Sequence, residues 1–296
     1  MSDITLSSAT RSNLLSLQST TNLIGRTQER LATGLKVNSA IDDALAFFKA
    51  RNLNSRASDL ASIKDAINGG ISVLTAAVQG LESIESVLKQ MKALAQSAIS
   101  APESSTRAKL ASQFNELRSQ VDNLAEDASF NGVNLLKNSS SAFAAGADQL
   151  TVKFNERTDQ AAVNQLVISG LRATDFTAIV ATSAVATGTA GSATVWGQTG
   201  ATAVTAINSA IRAIDSALVT VRQAAQGFGT NSALLSIRAD FTTNLINTLK
   251  AGASDLVNAD LNEESANLLS LQTRQQLGTI SLSIAQRSEQ SILRLF

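Results

Sequence analysis

Cysteine, histidine and tyrosine are all absent from this chain. Without cysteine there is no disulfide, no thiolate nucleophile and no zinc–thiolate site. Without histidine the commonest general base and the commonest metal ligand go together. Proline occurs once, at Pro102, and aromatics are 4% of 296 residues, few for a compact globular core. An excess of either charge is missing too. The 24 basic and 24 acidic residues cancel, so no pull toward nucleic acid or a membrane surface is expected. No run approaches the ~20 apolar residues that span a bilayer, so no membrane insertion is expected. Met1 to Asn13 lacks the basic-then-apolar pattern of a cleavable secretory signal. That favours a cytoplasmic protein, or export by a route that reads no such signal. These absences predict no enzyme activity, no catalytic residue, no bound metal and no cofactor.

What the chain does have is long apolar stripes at helical spacing. Leu60, Ile63, Ile67, Ile71, Leu74, Val78, Leu81, Ile84, Leu88, Met91, Ala95 and Ile99 follow one another at steps of three or four. They cover about eleven helical turns. Val204, Ile207, Ile211, Ile214, Leu218, Val221, Ala225 and Phe228 do the same. A stripe repeating every ~3.5 residues stays on one side of a gently supercoiled helix and calls for a partner helix. A helix of about 40 residues is ~60 Å long, too long for an ordinary compact domain. The expected fold is mainly α: an elongated antiparallel helical bundle or coiled coil with a small β-hairpin region.

Both ends carry thinner seams. Leu14, Leu17, Ile24, Leu31 and Leu35 are interrupted by Thr20, Thr21 and Gln28. Leu269, Leu277, Ile280, Ile284, Ile292 and Leu295 form the apolar face at the other end. Asp260 is placed to cap that last helix, with Glu263 as its capping-box partner. So few apolar side chains per turn hardly offset the ordering entropy of an isolated helix. The two ends look built for each other and for neighbouring copies. Between them a strong helix runs from about Ser58 to Ile99 and another starts after Pro102, ending near the Asn131-Gly132 turn or C-cap signal. A third spans roughly Thr202 to Leu249, with a phase slip near Gly227-Phe228-Gly229. Alternation at Leu150, Val152 and Phe154, then Leu166-Val167-Ile168, reads as a hairpin. Residues 181–199 read as a loop or a reduced outer module.

Few groups suggest chemistry. Asp42-Asp43 lacks a histidine partner, and adjacent helical residues point different ways, so capping or a surface role is expected. Gly69-Gly70 is no phosphate loop; it permits close packing or a local bend. Lys89 and Lys92 read as a solvated face. Asn138-Ser139-Ser140 matches an N-glycosylation pattern that arises cheaply by chance.

From Leu31 to Ala44 the order Leu, two small residues, Gly34, a basic residue, Asn38-Ser39-Ala40 and Asp42-Asp43-Ala44 resembles bacterial flagellin. Phe130-Asn131-Gly132-Val133-Asn134-Leu135-Leu136 and the C-terminal Gln275-Gln276-Leu277-Gly278-Thr279 are similar to that family too. The resemblance covers residues 1–140 and 200–296. It implies three regions: 1–42 plus 256–296 as an inner coiled-coil domain; 43–180 plus 200–255 as a long-helix bundle with its hairpin; and 181–199 as a loop or vestigial outer module. It implies a subunit that polymerises through its terminal helices into the flagellar filament for swimming. Such a subunit is exported by the flagellar type III route without a cleaved signal and ends up extracellular. Implied partners are further copies of the chain, an export chaperone, the filament cap and hook-junction proteins. A hook–filament junction protein shares the terminal helices, and a signalling coiled coil is the rival from another class. In family members recognised by an animal innate receptor, an Arg shortly precedes Glu-Leu-Ala, and a Glu lies on the following helix. The matching stretch Leu88–Ala95 has Gln90 at the Arg position and keeps Leu94, while Gln113 stands at the Glu position. Weak receptor binding is therefore expected.

Overall fold

The computed structural model describes residues 8–137, 148–156, 164–171, 195–197 and 201–293. Five helices carry them: α1 (Ser8–Thr33), α2 (Ala44–Ser100), α3 (Ser104–Asp127), α4 (Ala201–Val257) and α5 (Leu261–Leu293). Two antiparallel strand pairs join them: β1 (Ser129–Phe130) with β2 (Val133–Asn134), and β3 (Gln149–Lys153) with β4 (Gln165–Ser169). The chain divides into a terminal unit, residues 1–57 with 247–296, and a central unit, residues 58–246. These divisions fall inside α2 and α4. The boundaries 42/43 and 255/256 read from sequence lie close to the helix ends instead.

In the central unit α2 and α4 run antiparallel. Glu85 meets Arg222, Lys92 meets Asp215 and Gly70 faces Leu235, one number climbing as the other falls. Ile67, Leu74, Leu81, Ile84 and Leu88 pack with Phe114 and Val121 of α3 and with Ile207, Ile214, Val221 and Leu235 of α4. Glu85 accepts from Lys89 at 3.0 Å and Arg222 at 2.9 Å. The Lys89 bond, then that of Arg222, holds the Glu85 carboxyl below its ordinary value. The expected stripes are thus the core, slightly rotated: Ala98 and Ala203 are buried where Ile99 and Val204 are exposed. The expected phase slip at Gly227–Gly229 is absent. Val221, Phe228 and Leu235 keep the heptad spacing and are all buried. Helix α2 also begins at Ala44 rather than near Ser58, because its first turns bury small residues, Ala46, Ala50 and Ala57, that leave little apolar signal.

The apolar count per run is higher than the stripes alone suggest, by a test that core helices of soluble proteins also pass. Helices α2 and α4 each contain an 18-residue window of mean hydropathy 1.3, apolar enough by length and composition to cross a membrane. Alanines, which bury in the helix–helix core, raise the hydropathy of these windows without adding large side chains.

The β3·β4 pair buries Leu150, Val152 and Ile168 and exposes Val167, as alternation requires. It sits on α2 at Gly70, where an added Cβ would lie 2.8 Å from Val152 Cγ2. Of the two glycines read as permitting close packing or a bend, Gly70 packs closely and Gly69 meets nothing within 4 Å, in a helix that continues to Ser100. Asn131 and Gly132 both have positive φ, 51° and 81°, the two-residue turn that matches hairpin twist. They therefore join β1 to β2 and do not cap α3. The α3 C-terminus is closed by Asn134, whose Nδ2 donates to the Ala125 and Glu126 carbonyls at 2.9 and 3.0 Å. Trp196, in a short 3-10 turn (Val195–Gly197), is fully buried beside Phe114, with ring centroids 5.0 Å apart. Arg107 donates to its carbonyl at 3.0 Å. The rest of 181–199, and Asn138-Ser139-Ser140, lie outside the described residues.

Candidate assembly interface

The terminal unit is built on α1 and α5, which pair antiparallel: Arg30 meets Glu264, Thr21 meets Gln275 and Leu17 meets Gly278. On α1 the residues turned inward are Thr10, Asn13, Leu17, Thr20, Ile24, Thr27 and Leu31, at alternating steps of three and four. On α5 they are Glu264, Leu268, Leu271, Gln275, Gly278, Leu282 and Ala285, again at alternating steps. This is heptad geometry with half of its positions polar or small. Thr20 donates back to the Ser16 carbonyl at 2.9 Å, which lets a hydroxyl lie buried in the seam. Asp260 caps α5 as expected, accepting from the Asn262 N–H at 2.9 Å.

The apolar residues read from sequence divide between two faces. Ile24 is buried, and Leu17, Leu31 and Leu35 are half-buried. Leu14 is exposed, as are its neighbours Leu15 and Leu23. On α5, Leu269, Leu277, Ile280 and Ile284 lie on the side away from that seam; they are 65, 62, 54 and 62% exposed. These four share one face, and α5 is thus apolar on two sides. Sequence reasoning found the outer side and missed the inner one, whose Glu264, Gln275 and Gly278 carry no apolar signal. The side chain of Ile292 and all of Leu295 lie outside the described residues.

The signature residues form the joint between α1 and α2. Gly34 takes φ 69° and donates to the Arg30 carbonyl at 2.8 Å, ending α1 in the left-handed conformation glycine favours. Asp42 Oδ2 accepts from the Asn38 N–H (3.2 Å), the Ser39 N–H (3.0 Å) and the Ser39 hydroxyl (3.1 Å). The Ser39 bonds hold the Asp42 carboxyl below its ordinary value. Asp43 Oδ1 accepts from the Ala46 N–H at 3.0 Å and caps α2. Lys36 N–H donates to Val257 O at 2.7 Å, and Ala259 N–H to Gly34 O at 2.9 Å, tying this joint to the α4–α5 connection. The crevice beside Arg26, Lys36 and Asp42 measures about 30 Å³, room for a water rather than a ligand. Of the capping or surface role expected of Asp42-Asp43, Asp43 takes the capping one and the exposed Asp42 closes the turn before it.

Residues 4–141 match the bacterial flagellin N-terminal helical region, and residues 211–296 match the bacterial flagellin C-terminal helical region. The chain belongs to the bacterial flagellin family. Flagellin FljM of Caulobacter vibrioides is 34% identical over 287 residues, 96% of this chain and 94% of that protein. Flagellin C of Rhizobium meliloti is 29% identical over 323 residues, 100% and 99% of the two chains. A crystal structure of Bacillus cereus flagellin aligns with a TM-score of 0.44 and 17% identity, over 60% of this chain and 88% of that one. As a flagellin the chain is a structural protein and not an enzyme. It self-polymerises into the extracellular flagellar filament that serves motility, and nothing favours a junction protein or a signalling coiled coil.

Of the four positions matched to receptor contacts by resemblance alone, Leu88 is 1% exposed and belongs to the core of the central unit. Gln90 and Gln113 are exposed, and Leu94 is half-buried.

Proposed function

We propose that this flagellin polymerises through the outward faces of α1 and α5, with Leu14 on the first and Leu269, Leu277, Ile280 and Ile284 on the second. The observation that carries this is the second apolar face of α5, which its own α1 leaves uncovered. Burying an aliphatic side chain fully is worth about 1.5–3 kcal/mol. Four half-exposed ones therefore supply several kcal/mol per subunit contact, and only in the polymer. The α1·α5 seam, polar or small at about half of its inward positions, gives the isolated chain little to hold these helices. Assembly would thus stabilise what the monomer does not. In this reading 1–42 with 256–296 make the inner filament core, and 43–180 with 200–255 the layer beyond it. The outer faces of α1 and α5 are also where an export chaperone would bind, and export follows the flagellar type III route. The filament cap and the hook-junction proteins would meet the same helices at the two filament ends. The test is electron microscopy after salting-out. Full-length chain should give long uniform filaments, and chain trimmed of both terminal segments by limited proteolysis should give none. Filaments from the trimmed chain would refute the proposal.

Innate-receptor recognition of this flagellin is weak in the same reading. Gln90 and Gln113 face solvent where recognised relatives present Arg and Glu, and glutamine offers neither a charge nor a planar donor fork. Losing a central Arg anchor costs on the order of 2 kcal/mol, roughly thirtyfold in affinity. A reporter-cell titration should show a gain of potency for Gln90→Arg with Gln113→Glu. Unchanged potency would reject the assignment.

A further inference from the structure

Two Asn-Gly pairs occur in the chain, Asn68-Gly69 and Asn131-Gly132. Both asparagines are exposed, so solvent access does not separate them. Backbone setting does. Asn68 and Gly69 lie inside α2, a continuous helix of 57 residues, with the Asn68 carbonyl also accepting from Ser72 Oγ at 3.1 Å. Asn131 and Gly132 form the turn of a hairpin held by two residue pairs, Ser129↔Asn134 and Phe130↔Val133. The Asn131 side chain has no hydrogen bond among the described residues, and Gly132, with φ 81°, has open space where a side chain would stand.

We propose that Asn131 is a site of spontaneous modification, at which the turn deamidates while Asn68 is protected. The Gly132 backbone nitrogen attacks the Asn131 side-chain carbonyl carbon. A new C–N bond closes a succinimide ring, the C–N bond to the side-chain amide nitrogen breaks, and that nitrogen leaves as ammonia with the proton from Gly132. Water then opens either carbonyl of the ring, giving aspartate or isoaspartate. The step needs the backbone at Asn131 to swing out of the left-handed region and Gly132 N to be free to approach. A two-pair hairpin opens locally with little loss of structure, because so short a ladder is marginal by itself. The middle of a long helix cannot open without breaking several hydrogen bonds at once, and its backbone keeps Gly69 N turned away from the Asn68 side chain. Aspartate tolerates the left-handed turn. Isoaspartate lengthens the main chain of a two-residue turn and so breaks the β1·β2 register. Asn134, which closes α3, stands two residues beyond that turn.

The test is peptide mapping by mass spectrometry of full-length chain incubated at mildly alkaline pH, folded and in denaturant. In the folded chain, the peptide holding Asn131 should gain the mass of amide-to-acid conversion at least about tenfold faster than the peptide holding Asn68. It should separate into two acidic products, one of them a substrate for an isoaspartyl methyltransferase. In denaturant the two peptides should react at similar rates. Asn131→Gln should stop the mass gain in its peptide. An intact Asn131 in the folded chain would overturn the proposal. So would an Asn68 that keeps pace, or a mass gain that persists in Asn131→Gln.

Discussion

Gly69 and Gly80 lie on the same helix, yet an added methyl acts in opposite directions at the two. Replacing an interior helical glycine by alanine gains about 1 kcal/mol of propensity. At Gly69 nothing lies within 4 Å of the new Cβ, so that gain stands alone. At Gly80 the new Cβ would lie 2.7 Å from the Ala128 Cβ and 2.8 Å from Leu136 Cδ1. Ala128 Cβ is fixed to its backbone and cannot swing away, and overpacking of this kind costs about 1–3 kcal/mol. Thermal melting should therefore place Gly69→Ala above the parent and Gly80→Ala below it, by a few degrees each. Asp42 gives a second residue-level expectation, with a pH sign. Its carboxyl sits below the ordinary 3.8, first because of the Ser39 bonds, so the folded chain favours the charged form. Its contribution is whole at pH above 3.8 and is lost as pH falls through the lower folded value. Amide exchange at Asn38 and Ser39 should accelerate only in that acid window, and in Asp42→Ala it should be fast at every pH.

At the scale of elements, one ion pair is placed to set the register of the α1·α5 pair. Arg30 and Glu264 meet at 2.9 Å, with side chains 29% and 11% exposed. In a seam polar or small at about half of its positions, a charged pair is well placed to choose among registers. Removing Glu264 leaves Arg30 half-buried without its partner, a loss of about 1–3 kcal/mol once its partial exposure is allowed for. Filament yield should fall for Glu264→Ala and for Arg30→Glu, and recover in part when Arg30→Glu is joined to Glu264→Arg. An equal yield in all three would show that register is set elsewhere. The same seam shows where sequence is readable. Leu74, Ile84, Ile207 and Ile214 are large, periodic and buried, so the core of the central unit could be read directly from spacing. Gly34 and Asp43 were legible as signature residues because each does one local job, a left-handed helix end and a helix cap. The inner face of α5 was not legible, since Glu264, Gln275 and Gly278 belong to it by position and not by polarity. Nor was β1·β2, whose two-residue strands are too short to show any period.

For the whole molecule, the division of α5 into two faces separates folding from assembly. Leu282 is turned toward α1 and half-buried in the chain itself, whereas Ile284 is 62% exposed, on the face we propose another copy covers. A charge at Leu282 is paid within the monomer. A charge at Ile284 meets solvent in the monomer; under the proposed interface it is desolvated only in the filament, where an unpaired buried carboxylate costs several kcal/mol. Leu282→Asp should therefore loosen α1 and α5 in the free chain, seen as faster amide exchange in both helices, and should also impair filaments. Ile284→Asp should leave that exchange and the melting of the central unit unchanged and still abolish filaments on salting-out. If Ile284→Asp polymerises normally, the outer face of α5 does not meet a neighbouring copy. If it loosens the monomer as Leu282→Asp does, that face already has a partner within the chain.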